Sequence, residues 1–370
     1  MFLSELNYYC SLKNIIKLIL LNKYYNKNIN VNYIKNITNQ KYLYNNKIKN
    51  IEILNDHNRK LQNMCYLINL KECHYGYYSK INNLKKLTNL IKFVNDNAKL
   101  VSVNHMKKLK ELHCYGITNI TNYGINKLTK LEILKCSNNT KIININHMKN
   151  LKKLYCSNSS SLTQNGISKL TKIVKLNCNG NEKIINVNHM KNLKKLYCYG
   201  DSGLDQYGIS AATKIIKLDC SHNHKIINID HMKNLKVLCC RKQSGINQNE
   251  IEKLTKLVTL KCSAKSKIVN INHLTNLKVL YCRCNSGINQ ESIKNITKLT
   301  HLQCCYNKKI NDVNHLINLK VLCCQGDTNI DQHGINKLSN LTRLDCRFNN
   351  KIIDVNHLTN LKIYCGLAVK

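Results

Sequence analysis

The feature that most constrains the fold of this 370-residue chain is an internal repeat with a period of 42 residues. A histidine that precedes Met or Leu recurs at this interval, at His105, His147, His189, His231, His273, His315 and His357. Cysteine follows two series with the same interval. One is Cys114, Cys156, Cys198, Cys240, Cys282 and Cys324, and the other is Cys136, Cys178, Cys220, Cys262, Cys304 and Cys346. Because the two series interleave at alternating steps of 22 and 20 residues, each repeat contains two similar coils.

Within a coil the residues follow the pattern L-x-x-L-x-C-x-x-N, as in Leu131, Leu134, Cys136 and Asn139. The alternation of apolar and polar residues predicts a short β-strand with one side facing a core. A single coil cannot bury that side by itself. The pattern therefore predicts that successive coils stack and share one continuous core.

This pattern resembles the leucine-rich repeat, L-x-x-L-x-L-x-x-N/C-x-L, with Cys at the third apolar position. The resemblance covers about residues 61–365. It implies an α/β-type solenoid, a horseshoe with parallel strands on its concave face and coils that alternate between 22 and 20 residues. The return segment at 162–170 resembles the helical return of cysteine-containing repeats, whereas the segment at 143–148 resembles the shorter return of internalin-like repeats.

Asn at the ninth position of the pattern is expected to be buried and to bond backbone groups where the chain turns. The 20-residue coils carry it at Asn139, Asn181, Asn223, Asn307 and Asn349, with Lys265 as the exception. The corresponding residues of the 22-residue coils are Ser159, Asp201, Gln243, Asn285 and Asp327. These residues are expected to take the place of Asn.

The repeat pattern weakens toward the N-terminus, and this predicts three segments. Residues 61–370 form the leucine-rich repeats. Residues 31–60, rich in Asn and Lys, are either a linker or a set of atypical capping coils. Residues 1–30 form a separate helical segment.

Residues 5–25 resemble the later part of an F-box, E-I-x-x-Y-L-S-L-K-D-L-L-x-L-x-L-V-N-K-x-W. Five apolar residues lie there at helical spacing, Leu12, Ile15, Ile16, Ile19 and Leu20, and Ser11 is a candidate cap. The opening Leu-Pro stretch is missing, and Tyr25 stands where Trp is usual. The resemblance implies an F-box/leucine-rich-repeat protein, in which these five residues dock on a Skp-type adaptor of a cullin–RING ubiquitin ligase and the solenoid selects the substrate. The alternative is an ordinary amphipathic capping helix.

The histidine and cysteine series invite a metal-site interpretation, but their spacing favours structural roles. Histidines two coils apart are separated by roughly 10 Å, too far to share one zinc ion. The cysteines hold the inward position usual for Leu, and parallel side chains at that spacing do not meet disulfide geometry. We therefore predict no metal and no cofactor, with histidines at repeated turns and cysteines packed in the core.

Three cysteine pairs differ from this pattern, because strand alternation turns one member of each pair outward. The pairs are Cys239–Cys240, Cys304–Cys305 and Cys323–Cys324. Their outward thiols are expected to be exposed and able to react. No accompanying His–Asp arrangement is visible, so no catalytic residue is assigned and no enzymatic activity is expected.

The chain is strongly basic, with 58 Lys and Arg residues against 20 Asp and Glu residues and a formal net charge of +38. Such an excess is typical of proteins that bind polyanions. Only five of these residues are Arg, the residue that reads guanine and phosphate in bidentate fashion. Specific nucleic-acid binding is therefore not expected, and any such binding should be weak and lost with salt. A solvated stripe is predicted at Lys141, Lys183, Lys225, Lys267, Lys309 and Lys351.

The concave strand face is the remaining candidate site. In the core one residue type repeats from coil to coil, whereas on this face the types vary, as a recognition surface requires. Tyr and Arg, which often dominate interfaces, recur there. The predicted partner-binding residues are His113, Tyr155, Tyr197, Tyr199, Asp219, Arg241, Tyr281, Arg283, Asp345 and Arg347. The partner is expected to be a protein, whose identity the sequence does not give. The alternative is drift on an unused surface.

Twenty cysteines in a chain of this length would suit a secreted, disulfide-rich protein, but the N-terminus argues against it. The apolar run at 15–21 is interrupted by Lys17, and no small-residue cleavage site follows. No segment approaches the roughly 18 apolar residues of a membrane span. We therefore expect an intracellular protein of the cytoplasm, with reduced cysteines and no contact with membranes.

Overall fold

The computed structural model describes residues 33–34, 53–56, 69–75, 84–96, 98–116, 118–264, 266–284 and 286–366. The predicted adaptor-binding residues, from Leu12 to Leu20, lie outside these described residues. The chain divides into two compact units, residues 1–173 and residues 174–370. Each unit contains stacked coils that contribute one short parallel strand apiece.

In the first unit the strands follow chain order, and each pairs in parallel with the next. Their bounds are β1 (Tyr33–Ile34), β2 (Ile53–Asp56), β3 (Glu72–Tyr75), β4 (Lys92–Asn95), β5 (Glu111–His113), β6 (Ile133–Lys135) and β7 (Lys153–Tyr155). Strands β1 and β2 lie in the segment for which the sequence predicts a linker or atypical coils. The register places Leu112, Leu134 and Leu154 side by side, and all three are fully buried.

The second unit continues the same pattern of parallel neighbours. Its strands are β8 (Lys175–Asn177), β9 (Lys195–Tyr197), β10 (Lys217–Asp219), β11 (Val237–Cys239), β12 (Thr259–Lys261), β13 (Val279–Tyr281), β14 (His301–Gln303), β15 (Val321–Cys323), β16 (Arg343–Asp345) and β17 (Ile363–Cys365). Leu196, Leu218 and Leu238 are in register, at steps of 22 and then 20 residues. The predicted alternation of coil lengths is confirmed.

The cysteine series lies on the inward side of the strands, as predicted. Cys178, Cys198 and Cys220 are fully buried beside the core leucines. Burial raises the pKa of Cys178 and of Cys220 to about 12, so these thiols stay protonated at neutral pH. They serve as small apolar residues where a leucine would otherwise stand.

Within the described ranges, helix is limited to single turns. The α-helical turns are α1 (Asn122–Ile125), α2 (Gln164–Ile167) and α3 (Gln248–Glu252), and the 3-10 turns are η1 (Leu84–Lys86), η2 (Tyr207–Ile209), η3 (Glu291–Ile293) and η4 (His333–Ile335). From α1 onward these turns belong to the 22-residue coils. The helical return is thus present but short, because a segment such as 162–170 has no room for a second turn.

The turn α2 shows why glycine recurs in these returns. The hydroxyl of Thr163 caps it by accepting a hydrogen bond from the Gly166 amide, at 3.2 Å. A Cβ on Gly166 would overlap the carbonyl oxygen of Ile143 in the preceding coil. The absence of a side chain therefore lets the helical turn rest directly on the neighbouring backbone.

Each coil turns sharply two positions after its ladder cysteine, at a residue with positive φ. Glycine holds this place at Gly116, Gly180, Gly200 and Gly326. Other residues adopt the same conformation in the remaining coils, for example Asn138 at φ 59° and Phe348 at φ 63°. For a residue with a Cβ this conformation is unfavourable by roughly 1–2 kcal/mol, so the stacked neighbours must hold it in place.

The predicted asparagine ladder is confirmed. All five residues are buried, with exposures of 4% or less. Asn223 is representative: its Nδ2 donates to the carbonyl oxygens of Cys198 and Leu204, at 3.3 and 3.0 Å, and its Oδ1 accepts from the Lys225 amide at 3.0 Å. The side chain therefore joins its own turn to the preceding coil.

Four of the predicted replacements for Asn in the 22-residue coils are wrong by one position, and the fifth, Asn285, lies outside the described residues. Ser159, Asp201, Gln243 and Asp327 are exposed. The buried polar residue is the next one in each coil, at Thr118, Ser160, Ser202, Ser244, Ser286 and Thr328. Because a hydroxyl side chain is shorter than an amide side chain, it bonds close by: Ser244 Oγ accepts from the Ile246 amide at 3.4 Å and lies 3.8 Å from Cys220 Sγ.

Four histidines of the ladder have the structural role that the sequence predicts. The imidazole Nε2 of His147, His231, His273 and His315 donates to a carbonyl oxygen 22 residues earlier, at 3.0 Å in each case. Burial lowers the pKa of His147 and of His231, although the hydrogen bond to the carbonyl opposes this shift. Each of these histidines thus ties a turn to the coil before it.

Candidate binding surface on the strands

The strand face is the outward side of the strands, formed by the first and third residues of each strand and the residue two positions later. In the second unit, the Tyr197 ring of this face has a lysine side chain on each side. The Nζ of Lys175 on β8 lies 5.2 Å from the Tyr197 ring centroid, and the Nζ of Lys217 on β10 lies 5.3 Å from it. Each such contact contributes about 0.5–1 kcal/mol at an exposed site. Tyr197 is therefore a half-exposed ring with positive charge on both sides.

The same pairing recurs at two other tyrosines of the strand face. In the second unit Lys261 Nζ lies 4.4 Å from the Tyr281 ring centroid, and in the first unit Lys135 Nζ lies 5.5 Å from that of Tyr155. In both cases lysine and tyrosine are directly opposite in the strand register. Three of the four tyrosines predicted from sequence thus share one environment, a flat ring beside an ammonium group.

Other predicted residues are accessible at the margin of the strand face. Arg241, Arg283 and Arg347 are exposed. Arg283 donates to the side-chain oxygen of Gln303. Tyr199 is 37% exposed.

Asp219 is a predicted acidic residue of the strand face. It is half-buried and accepts a hydrogen bond from the Ser221 amide at 3.2 Å. Its carboxylate thus supports the turn that follows β10 while keeping part of its surface open.

Two predicted residues, His113 and Asp345, are mostly covered, with exposures of 7% and 6%. His113 Nε2 bonds the Glu111 carboxylate at 2.6 Å, and burial lowers the pKa of His113 more than Glu111 raises it. Burial also tends to raise the pKa of Asp345, but bonds from Arg347 and Gln325 outweigh it and lower this pKa overall. Both side chains hold their neighbours in place and offer little area to a partner.

The strand face of the second unit is strongly basic. Its positive residues in the described strands and their margin are Lys175, Lys195, Lys217, Arg241, Lys261, Arg283, Arg343 and Arg347. Its acidic residues there are Asp219 and Asp345, and Arg347 already forms a bidentate pair with Asp345 at 3.0 Å. The surface therefore presents a positive field with only one carboxylate outside an arginine pair.

The expectation of exposed thiols at the three cysteine pairs is wrong. Cys239, Cys305 and Cys323 are 4%, 3% and 8% exposed. They do lie off the core ladder, but a cysteine side chain is short, and the longer side chains around it on the strand face cover it. The exposed cysteine of the described residues is Cys284.

The lysines that flank the tyrosines were not among the predicted binding residues. A signal for them existed, since Lys135 and Lys261 stand 20 residues before Tyr155 and Tyr281 and are therefore their strand neighbours. What the repeat pattern does not show is which way a long lysine side chain leans. That depends on the neighbouring ring.

The predicted lysine stripe from Lys141 to Lys351 is exposed at every position. Some of its ammonium groups are engaged, as where Lys351 Nζ donates to the Thr328 carbonyl at 2.9 Å. Within the described ranges, no group of three or more His, Cys, Asp or Glu residues is placed to hold a metal ion. The helices that the structure describes are too short and too polar to span a bilayer.

No family model matches the sequence, and no curated protein matches it. Solved structures do match. The functional domain of InlJ from Listeria monocytogenes, which includes a cysteine ladder, superposes with a TM-score of 0.56 at 21% identity, covering 80% of this chain and 67% of that one. A leucine-rich-repeat protein of Leptospira interrogans gives a TM-score of 0.60 at 20% identity, covering 90% and 95%.

A third similar structure is that of TLR13 in complex with ssRNA13. It gives a TM-score of 0.57 at 18% identity, covering 86% of this chain and 58% of that one. Together these likenesses show the fold: parallel-strand solenoid coils of the leucine-rich-repeat type, with little helix in the residues that the structure describes. At such identities they show the fold alone.

Proposed function

We propose that this chain is a non-catalytic protein-binding scaffold whose strand face in the second unit takes up an acidic segment of a partner protein. The observation that carries the proposal is Tyr197, half-exposed between the ammonium groups of Lys175 and Lys217. A ring whose position is fixed loses little conformational freedom on binding. Tyrosine and arginine supply much of the affinity of protein interfaces for this reason and because of their contact area.

The charge of the strand face determines the kind of partner. Eight basic residues against two acidic ones favour carboxylate-rich or phosphorylated protein surfaces and speed their association. Tyr281 with Lys261, and the exposed Arg283 beyond them, extend the same chemistry along the strand face. Variation of residue types between coils gives such a surface its selectivity.

The proposal includes a role for residues 1–30 as an F-box that docks on a Skp-type adaptor of a cullin–RING ubiquitin ligase. Its support is the N-terminal sequence, with Leu12, Ile15, Ile16, Ile19 and Leu20 at helical spacing. The strand face would then select the substrate. A reducing intracellular compartment fits this role, and every cysteine of the described residues is a free thiol.

The strand-face part is tested with the variants Tyr197→Ala and Tyr281→Ala, with Tyr207→Ala as the matched control. Tyr207 is 83% exposed on η2, off the strand face. Partners are identified by affinity purification with mass spectrometry, and their affinities are then measured with purified components. We expect each strand-face variant to weaken binding about tenfold or more, as central aromatic residues do. Equal binding by all three variants would contradict the proposal.

A second candidate function is non-specific binding of polyanions, which the net charge of +38 favours. A similar fold is seen with RNA in the TLR13–ssRNA13 complex. Titration of a mixed-sequence oligonucleotide at several salt concentrations separates the two functions. Tight binding that persists at physiological salt would favour the polyanion function, whereas weak binding that is lost as the salt concentration rises leaves the protein-binding proposal in place.

The adaptor part is tested with the double variant Ile16→Lys and Leu20→Lys. Binding to a Skp-type adaptor should be abolished, since each charge would be forced into an apolar contact at a cost of several kcal/mol. Binding of the strand-face partner should be unchanged. A wild-type chain that binds no such adaptor would reject this part and leave the scaffold function standing. Loss of thermal stability in the double variant would instead assign the two residues to a capping helix.

A further inference from the structure

Two cysteines of the strand face meet across neighbouring coils of the second unit. Cys305 follows β14, and Cys323 is the third residue of β15. Their sulfur atoms are 2.9 Å apart. In the strand register Cys323 lies opposite Gln303, so the two cysteines are offset by two residues. The two cysteines thus differ from those of the core ladder, which occupy the same position in every coil.

The surroundings of this pair shift the pKa values of its two thiols in opposite directions. The hydrogen bond with Cys323 lowers the pKa of Cys305, burial opposes this shift, and the positive charge of Arg283 supports it. The same hydrogen bond and burial raise the pKa of Cys323. These opposite shifts favour Cys305 as the sulfur that loses its proton first. By contrast, burial raises the pKa of the ladder thiol Cys262 to about 12.

We propose that Cys305 and Cys323 are a redox modification site, where a peroxide forms a reversible disulfide on the strand face. The thiolate of Cys305 attacks one oxygen of hydrogen peroxide, the O–O bond breaks, and the products are a sulfenic acid and a hydroxide ion, which takes a proton from the solvent to become water. The thiol of Cys323 then attacks that sulfur, the S–O bond breaks, and a second water leaves. Two thiols are oxidised by one electron each, and both peroxide oxygens are reduced.

The two sulfur atoms need to move only a short distance toward each other for this reaction. A disulfide bond is about 2.0 Å long, so the sulfurs must approach by roughly 0.9 Å. Neither cysteine belongs to the Leu–Cys core ladder, so the coil stack can stay intact in both states. Oxidation would, however, remove any negative charge that Cys305 carries near Arg283, and the strand face would then become more positive at this point.

The test uses the purified full-length chain, treated with hydrogen peroxide under native conditions, alkylated, digested with trypsin and analysed by mass spectrometry. We expect a linked pair of peptides, 299–308 with 321–337, a loss of two thiols per chain, and recovery of both with dithiothreitol. A Cys284→Gly background removes the exposed thiol that would otherwise join two chains. Glycine suits that position, because Cys284 has a φ of 57° and Gly116, Gly200 and Gly326 stand at the equivalent place.

Three variants assign the link. Cys305→Ser and Cys323→Ser should each abolish it, whereas Cys239→Ser, at an equally covered strand-face position, should keep it. Oxidation of Cys284 in the wild-type chain without a 305–323 link would overturn the proposal, and so would a link that persists in either single variant. The wild-type result does not depend on how well the variants fold.

Discussion

The 20-residue and 22-residue coils bury the same ladder of Leu and Cys, yet they attach to the preceding coil by different means. A 20-residue coil uses an amide: Asn223 reaches back to the carbonyls of Cys198 and Leu204. A 22-residue coil uses backbone packing: its helical turn rests on the coil before it, as Gly166 rests on Ile143. The difference teaches that a uniform core can be joined through two alternating kinds of contact, one polar and one steric.

The largest loss of stability is expected when the polar contact between coils, made by the Asn223 side chain, is removed. Asn223→Ala leaves two carbonyl groups and one amide without the side chain that bonds them. Each unsatisfied group costs about 1–3 kcal/mol, so the free energy of unfolding of the second unit should fall by about 3 kcal/mol or more. The measurement is urea unfolding, with amide hydrogen exchange of β10 as a local readout. Asn234→Ala, an exposed change in the same coil, is the control. A loss no larger than that of the control would show that the amide is dispensable.

The close backbone packing of a helical turn on the preceding coil is tested by Gly166→Ala. The added methyl group would overlap the Ile143 carbonyl, and because that atom belongs to backbone it cannot rotate away. We expect a loss of about 2–3 kcal/mol, typical of overpacked sites. Asn165→Ala introduces the same residue one position earlier, where the side chain is exposed, and should change stability by less than about 0.5 kcal/mol. Equal melting temperatures for the two variants would refute the close contact.

The histidine hydrogen bonds, which occur in the 20-residue coils, should make the stability of the fold depend on pH. Burial lowers the pKa of His147 and His231, so below about pH 6.5 the unfolded chain binds more protons than the folded chain. Stability should therefore be constant above this pH and should fall as the pH decreases below it. His231→Gln should reduce the slope, and the exposed change His224→Gln should not. Melting curves between about pH 5 and 8 give the slopes; a slope unaffected by His231→Gln would contradict the assignment.

The smallest effect is expected at the hydroxyl of the 22-residue coils. Ser244→Ala removes one long bond from the Ile246 amide and a weak contact with Cys220, so the loss should be about 0.5–1 kcal/mol. Urea midpoints of Ser244→Ala and Asn223→Ala, measured side by side, compare the two kinds of turn directly. If Ser244→Ala proved less stable than Asn223→Ala, the buried hydroxyl would stabilise the fold more than the buried amide does.

The sequence predicted the fold well because the core repeats one chemistry. Leu218 and Cys220 mark the inward side of a strand, and counting between such residues yields the coil lengths. The same counting failed at Ser159, because the position was transferred from the 20-residue coils and the hydroxyl that is buried, Ser160, comes one residue later. Small polar residues are common in every turn, so periodicity alone does not separate the buried one from its neighbours.

The strand face was predicted only in part, because its side chains are arranged by their neighbours across coils. Tyr197 and Tyr281 could be assigned to it from strand alternation. The covered state of Cys323 and its contact with Cys305 could not, since both depend on an offset of two residues between neighbouring coils. Side-chain direction at such positions follows from packing, which the repeat pattern does not encode.

The alternation of polar and steric joints also limits how a chain of this kind can change its length during evolution. If one coil alone were lost, two surfaces of the same kind would meet: the reaching amide would find no matching carbonyls, or a helical turn would have no bare backbone beneath it. Loss or duplication of 42 codons leaves every junction as it was. Such genes should therefore grow and shrink in whole pairs of coils, each adding about 10 Å of length.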